Sequence, residues 1–259
     1  MGLAIENACY EMDRRCLERD REALNNATGG MTRMMKFGGS AAAIAIVVRS
    51  PIDKLAWVYA ANVGDCRVVL CRAGMAVDLT DDHKPTRVDE RQRIERAGGY
   101  ISRDRLNGIL GITRAFGDIT FKCFPTDKHL WDNQQLIAKP DIKVVPVSPH
   151  DCFIILACDG VWDVMTSQQA VNYVWRRLLA HADVQRAGRE LVKKAVHLGS
   201  NDNCSCIVVC LNQVDRRPHA TTPSPRFTQH GRGGLRLPPQ VVAPPVAAAV
   251  SGGPGPSVA

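Results

Sequence analysis

The stretch FIILACDGVWDV, residues 153–164, decides how this chain is read. An apolar run from Phe153 to Cys158 ends in Asp159, and a second carboxylate, Asp163, follows four positions on. The run is too short for an ordinary helix and is bounded by turn chemistry, so it predicts a buried strand. Asp159-Gly160 predicts a tight turn at the strand's mouth. A carboxylate at the end of a rigid buried strand is well placed to bind a hard cation. The same letters also fit an ordinary strand-to-turn aspartate, and this segment alone leaves both readings open.

Working outward, other strands come into view. Ser40 to Val48 is a continuous run of small and β-branched residues and predicts another buried strand. Leu55 to Val63, Cys66 to Cys71 and Met75 to Leu79 follow at short intervals, separated by Gly64-Asp65 and Arg72-Ala73-Gly74, and predict antiparallel hairpins. Ile142 to Val147 and Cys204 to Leu211 are further strands. Helices are predicted over 4–24, where Ile5, Ala8, Cys9, Met12 and Cys16 recur at helical spacing, and over 86–97, 167–179 and 184–198. Glu11 with Arg15, and Arg14 with Glu18, are spaced to pair across one turn. Thr86 is the expected cap of the second helix, and Thr166 or Ser167 of the third. Residues 25–30 end the first helix, and residues 119–139, of mixed polarity and no period, read as a loop or flap.

The composition bounds the function classes. The chain has 259 residues, enough for one sizeable domain, and 45% hydrophobic content suits a globular core. No apolar stretch approaches the roughly 18 residues of a membrane span. No secretory signal is visible, and Glu6 stands where a myristoylation motif wants Ser or Thr. The ten cysteines form no Cys-x-x-Cys pair and mostly lie in apolar runs. That pattern predicts buried, reduced structural thiols in a cytoplasmic or nuclear protein, with Cys204 and Cys206 on one strand face. The net charge of +7 is uneven: the five arginines of residues 216–259, with no acid among them, leave 28 basic against 26 acidic side chains in the rest. The body is nearly neutral, so the charge does not argue for a nucleic-acid-binding fold. Nine of the fifteen prolines lie beyond position 216, and residues 214–259 read as a disordered Pro/Gly/Ala/Arg-rich tail. Its single Gly231-Arg232-Gly233-Gly234 element reads as solvated linker rather than as an RNA-binding repeat.

Four aspartates share one context. Asp65 follows a strand and a glycine, Asp159 ends a buried strand, Asp163 lies one helical turn later, and Asp202 precedes the last strand. Carboxylates gathered on one rim of a layered sheet protein repel one another unless a cation neutralises them. An all-oxygen set suits Mg²⁺ or Mn²⁺. Spacing alone does not establish that the four converge.

Six segments, in order, resemble the metal-dependent protein phosphatases of the PP2C family. They are GGSAAAIAIV at 38–47, ANVGDCRVVLCRAG at 61–74, TDDHKPTRVDERQRIERAGGYI at 80–101, LGITRAFGD at 110–118, FIILACDGVWDVM at 153–165 and GSNDNCSCIVV at 199–209. The wording of the 80–101 segment is most similar to plant members. The resemblance implies an α+β fold, an α/β sandwich of two mostly antiparallel sheets flanked by helices, with residues 1–213 forming an N-terminally truncated phosphatase domain. It implies hydrolysis of phosphoserine and phosphothreonine on proteins by water activated at two Mg²⁺ or Mn²⁺ ions per site. Asp159 and Asp202 match two ligands of that binuclear centre and act through the metal, and Asp65 and Asp163 match positions of a further, weaker metal. Arg114 and Asp118 fall near the site, in a structural or a direct role, and 119–139 occupies the family's flap. The expected partners are phosphoprotein substrates, without membrane or nucleic acid, and the expected state is a monomer.

The departures are equally specific. The family's early Arg with its Met-Glu-Asp segment, and its Asp-Gly-His-Gly-Gly motif, have no counterpart: the one Asp-Gly pair is Asp159-Gly160, and no Glu-Asp dipeptide occurs. In the family that motif supplies the carboxylate bridging both metals and the histidine acid. Their absence suggests either a shortened form of an active phosphatase or a catalytically impaired homologue that binds partners. Ala41 replaces a family threonine, a change expected to affect packing. His83, in Asp82-His83-Lys84-Pro85, is expected to order a turn, and Trp162 to pack beneath the Asp159 strand.

Overall fold

The computed structural model describes residues 1–26, 38–52, 55–122, 132–212 and 214. A 25-residue helix, α1 (Gly2–Asn26), precedes strands β1 (Gly39–Ser40), β2 (Ala42–Arg49), β3 (Ala56–Val63), β4 (Arg67–Arg72) and β5 (Met75–Asp78). Helix α2 (Val88–Arg96) follows, then the short strands β6 (Ile101–Ser102), β7 (Arg105–Leu106) and β8 (Phe116–Gly117), and a 3-10 turn over Ile119–Phe121. Strands β9 (Asp141–Pro146) and β10 (Asp151–Ala157), helices α3 (Asp159–Trp162), α4 (Ser167–His181) and α5 (Val184–His197), and β11 (Cys206–Cys210) complete the described elements. Residues 123–131 of the expected flap, residues 27–30 of the expected helix end, and the expected tail apart from Val214 lie outside the described residues. No described helix is long and apolar enough to cross a membrane.

Two antiparallel sheets carry the fold, one in the order β11-β10-β4-β5 and the other β2-β3-β9. Alternation along the strands explains their layering. Val68, Leu70, Ile154 and Leu156 face Val58 and Ala60 of the other sheet and form the inter-sheet core. Their neighbours Val69, Cys71, Phe153 and Ile155 point the opposite way and pack with Val171, Val174 and Leu178 of α4 and Leu191 of α5. On the far side, Ile5 and Cys9 of α1 pack on Ala61 and Val63. The result is the α/β sandwich expected from the sequence. Strand β10 lies between β4 and β11 and is buried along its whole length. Each of its large apolar side chains contributes about 1.5–3 kcal/mol on burial.

Local chemistry sets several boundaries. Thr166 caps α4 through a reciprocal capping box with Gln169, and Asp183 caps α5 by accepting from the Arg186 N–H. Glu11 pairs with Arg15, and Arg14 with Glu18, as their spacing predicts. Helix α2 starts later than expected: Arg87, not Thr86, occupies the cap and makes no side-chain cap bond. Its guanidinium is engaged by Asp89 and Asp141 instead.

Three other expectations are corrected. First, β3 and β4 are not a hairpin, because Gly64-Asp65 carries the chain from one sheet to the other. Second, β2 is not buried. It is an edge strand, partly covered by Ala43 and Ala45 on the inter-sheet side and Ile44 and Ile46 on the α1 side, with Val47 exposed. Third, only Cys9, Cys71 and Cys152 of the nine described thiols are fully buried, although all nine are free.

The buried face of α1 also differs from its apolar spacing. Ile5, Cys9, Asp13, Leu17 and Asp20 are buried, while Ala8 and Met12 are exposed. Asp13 is tolerated there because its carboxylate accepts from the Lys122 ammonium at 2.6 Å and the Gly117 N–H at 2.8 Å. Burial raises the Asp13 pKa and lowers that of Lys122, and their mutual attraction opposes both shifts. Removing one member of such a buried pair strands the other charge. Lys122→Met is therefore expected to cost about 3 kcal/mol in urea unfolding, with part of the loss recovered in the Asp13→Leu/Lys122→Met double variant. A single-variant loss below about 1 kcal/mol would show that the pair does not anchor α1.

Candidate functional site

The register of the central sheet places the acidic residues. Ala157 pairs with Arg67 in the antiparallel β10–β4 ladder, so Asp159 and Asp65 each lie two residues beyond that pair at the same end. Ala157 also pairs with Cys206 of β11, which brings the loop bearing Asp202 to that end. Two further contacts tie the loops together: the Cys158 thiol donates to the Asn203 carbonyl at 3.1 Å, and the Cys204 thiol to the Gly160 carbonyl at 3.3 Å. A Cβ on Gly160 would stand 2.6 Å from the Asn203 carbonyl oxygen, so the close approach requires glycine there. The Asp159-Gly160 pair opens the one-turn helix α3 rather than forming a free tight turn. Trp162 is buried, and its indole N–H donates to the Ala157 carbonyl at 2.8 Å, fixing that turn against the strand end.

The four aspartates differ in surroundings. Asp65 is buried, Asp159 half-buried, and Asp163 and Asp202 exposed. Asp159 accepts from the Gly160 N–H at 2.9 Å, and Asp202 from the Asn203 N–H at 2.6 Å. The Lys84 ammonium stands between two of the others, 3.7 Å from Asp65 Oδ2 and 3.3 Å from Asp163 Oδ1. Burial, followed by the negative charge of Asp159, pushes the Asp65 pKa up to about 6, with Lys84 opposing the shift.

The turn bearing Asp65 is held from behind. Gly64 has φ +94°, and both of its backbone groups engage His83: its N–H donates to Nδ1 at 3.1 Å, and its carbonyl accepts from the His83 N–H at 2.9 Å. His83 is fully buried, and burial lowers its pKa against the opposing pull of Asp141, whose Oδ2 lies 3.1 Å from the other ring nitrogen, Nε2. Asp141 is bound by Arg114 at 2.8 Å and Arg87 at 3.1 Å, and Arg114 also binds the buried Glu90 at 2.7 Å. Arg114 thus holds the support of the Asp65 turn, and His83 orders a turn as the sequence suggested. Asp118 lies elsewhere in the network: burial raises its pKa, Lys122, Asp20 and Asp13 act on it, and it accepts from the Gly39 N–H. Sequence reasoning passed over Lys84, Glu90 and Asp141, since their partners are distant in the chain and carry no local spacing signal.

The carboxylates suit a hard cation in kind. Among the described residues no three or more His, Cys, Asp or Glu side chains form a closed metal cage. The Asp65–Asp159 repulsion, only partly offset by Lys84, is of the kind that a bound cation would relieve. A buried acid with a raised pKa stabilises the fold while it is protonated and loses that contribution as pH rises through its folded value. Asp65→Asn is therefore expected to stabilise chelator-treated protein by about 1–3 kcal/mol near pH 7, with the gain fading as the pH falls to about 4. Equal thermal unfolding of the two proteins near neutral pH would contradict the charge conflict.

Known proteins place this arrangement in a family. The sequence profile for protein phosphatase 2C matches residues 5–204. Over 158 residues the chain is 46% identical to probable protein phosphatase 2C 13 of Arabidopsis thaliana, covering 61% of this chain and 40% of that protein. Over 159 residues it is 36% identical to protein phosphatase 1B of Mus musculus, with the same two coverages. The chain thus spans about two fifths of the length of these curated relatives. A solved phosphatase from Toxoplasma gondii shares the fold at a TM-score of 0.64 and 22% identity, over 82% of this chain and 75% of its own. A profile match across most of the chain, in agreement with the fold, shows that it belongs to the protein phosphatase 2C family.

Proposed function

We propose that this chain forms part of a protein phosphatase that hydrolyses phosphoserine and phosphothreonine on proteins with Mg²⁺ or Mn²⁺. The observation that supports this reading best is the meeting of Asp65 and Asp159 at one end of the central ladder, two acids whose repulsion a cation would relieve. In this reading Asp159 and Asp202 are the ligands of the binuclear centre, and Asp65 and Asp163 serve a further cation. A bound divalent ion lowers the pKa of water and neutralises charge on a phosphoryl group. The chain's own contribution is position: the β10 register sets Asp159, the Asn203–Gly160 contact sets the Asp202 loop, and His83 fixes the Asp65 turn. Phosphoprotein substrates would reach this rim from the side of Lys84 and Asp163, which are partly exposed.

A second reading is a catalytically impaired relative that binds phosphoproteins without turnover. It is motivated by the described residues, among which no three or more His, Cys, Asp or Glu side chains form a closed metal cage. Hydrolysis of p-nitrophenyl phosphate and of a phosphothreonine peptide, with and without Mn²⁺, separates the two. The first reading expects Mn²⁺-dependent turnover that falls by about a hundredfold or more in Asp159→Ala. No turnover by folded protein at millimolar Mn²⁺ would overturn it for this polypeptide and favour the second.

A further inference from the structure

Lys84 carries an inference that the phosphatase reading leaves open. Its ammonium stands among the rim carboxylates, 3.3 Å from Asp163 and 3.7 Å from Asp65. Its backbone is fixed, because its N–H donates to the Asp82 carbonyl at 3.0 Å and its own carbonyl accepts from the Arg87 N–H at 3.0 Å. The neighbouring His83 is bonded to Gly64 through both its backbone and its ring. The side chain is held far less firmly. Its head is about a third exposed, Asp163 is mostly exposed, and ion pairs in such settings are weak. A polar groove lined by Arg67, Thr80, Asp82 and Thr86 lies beside it and gives the four-carbon stem room to swing.

We propose that the Lys84 ammonium is the resident counter-ion of Asp65 and Asp163, and that a divalent cation binds these carboxylates by displacing it. This rests on the reading of the rim aspartates as cation ligands. A single charge of +1 faces Asp65, Asp163 and the nearby Asp159, so negative charge remains in excess. A doubly charged ion neutralises more of it, while Lys84 turns toward Asp82, whose carboxylate also acts on it. Occupancy is then a competition, and the affinity for the ion is lowered by the work of moving the ammonium. Cation binding would also free a positive side chain at the edge of the rim, next to where a phosphorylated segment would approach.

The test is Mn²⁺ binding to the full chain, followed by calorimetry and by loss of the free-ion EPR signal. It compares the native protein with Lys84→Met, Lys84→Arg, Asp163→Asn and the Lys84→Met/Asp163→Asn pair. Removing a unit positive charge about 4 Å from the ligands is expected to tighten binding about tenfold in Lys84→Met. Lys84→Arg should show no such gain, and the gain should vanish when Asp163→Asn is also present. Unchanged or weaker binding in Lys84→Met, a gain that survives Asp163→Asn, or no Mn²⁺ binding by any form would each overturn the proposal. Lys84→Gln, which keeps a polar head, repeats the comparison if the Met form does not fold. Binding is read without turnover, so an inactive but Mn²⁺-binding chain leaves this proposal standing while removing the catalytic one.

Discussion

The register between β10 and β4 is the constraint on which the rest of this structure depends. Ala157 opposite Arg67 means that the two chains leave the ladder side by side, one through Cys158 to Asp159 and the other back through Cys66 to Asp65. A slip of one residue would turn every β10 side chain to the opposite face. Phe153 and Ile155 would then leave the helices for the inter-sheet core, and Ile154 and Leu156 would do the reverse. Burial on both faces thus holds the register, and the register holds the acids. The packing that stabilises the domain and the geometry that gathers negative charge have the same source.

That charge is held against resistance. Asp65 sits on a turn whose left-handed backbone at Gly64 favours glycine, gripped by a buried histidine that is itself fixed through Asp141, Arg114 and Glu90. Four polar or charged residues, His83, Asp141, Arg114 and Glu90, serve to keep one carboxylate where burial and Asp159 both oppose its ionisation. Perturbed ionisation of this kind clusters at functional sites, where the surrounding structure maintains it. Lys84 moderates the conflict without removing it, because its own contacts are long or solvent-exposed.

Much of this was legible in the letters, for physical reasons that can be named. The β10 run is apolar on both faces and reads as a buried strand, while the Asp-Gly step at its end left the role of Asp159 open until the ordered family segments were set beside it. Thr166 was one of the two expected caps of α4, and Gln169 completes its capping box. The edge position of β2 was not legible, because its small and β-branched run reads like a strand covered on both sides, whereas coverage depends on which strands lie next to it. The sheet change at Gly64-Asp65 was hidden for a similar reason: a two-residue link reads as a hairpin, and only the His83 contacts and the strand pairing reveal a crossover. The α1 stripe misled through Asp13, a charge whose buried partner, Lys122, lies 109 residues away. Lys84 stood inside a quoted motif, yet nothing local tied it to Asp65 or Asp163.

Asp65 and Asp159 share one rim and repel each other there. A carboxyl ¹³C NMR titration of Asp65 in metal-free protein measures this directly, in the native chain and in Asp159→Asn. A pKa of about 6 is expected in the native protein, moving down when Asp159 is neutralised and down again when Mg²⁺ is added. A native value near 4, or one indifferent to both Asp159→Asn and Mg²⁺, would contradict it.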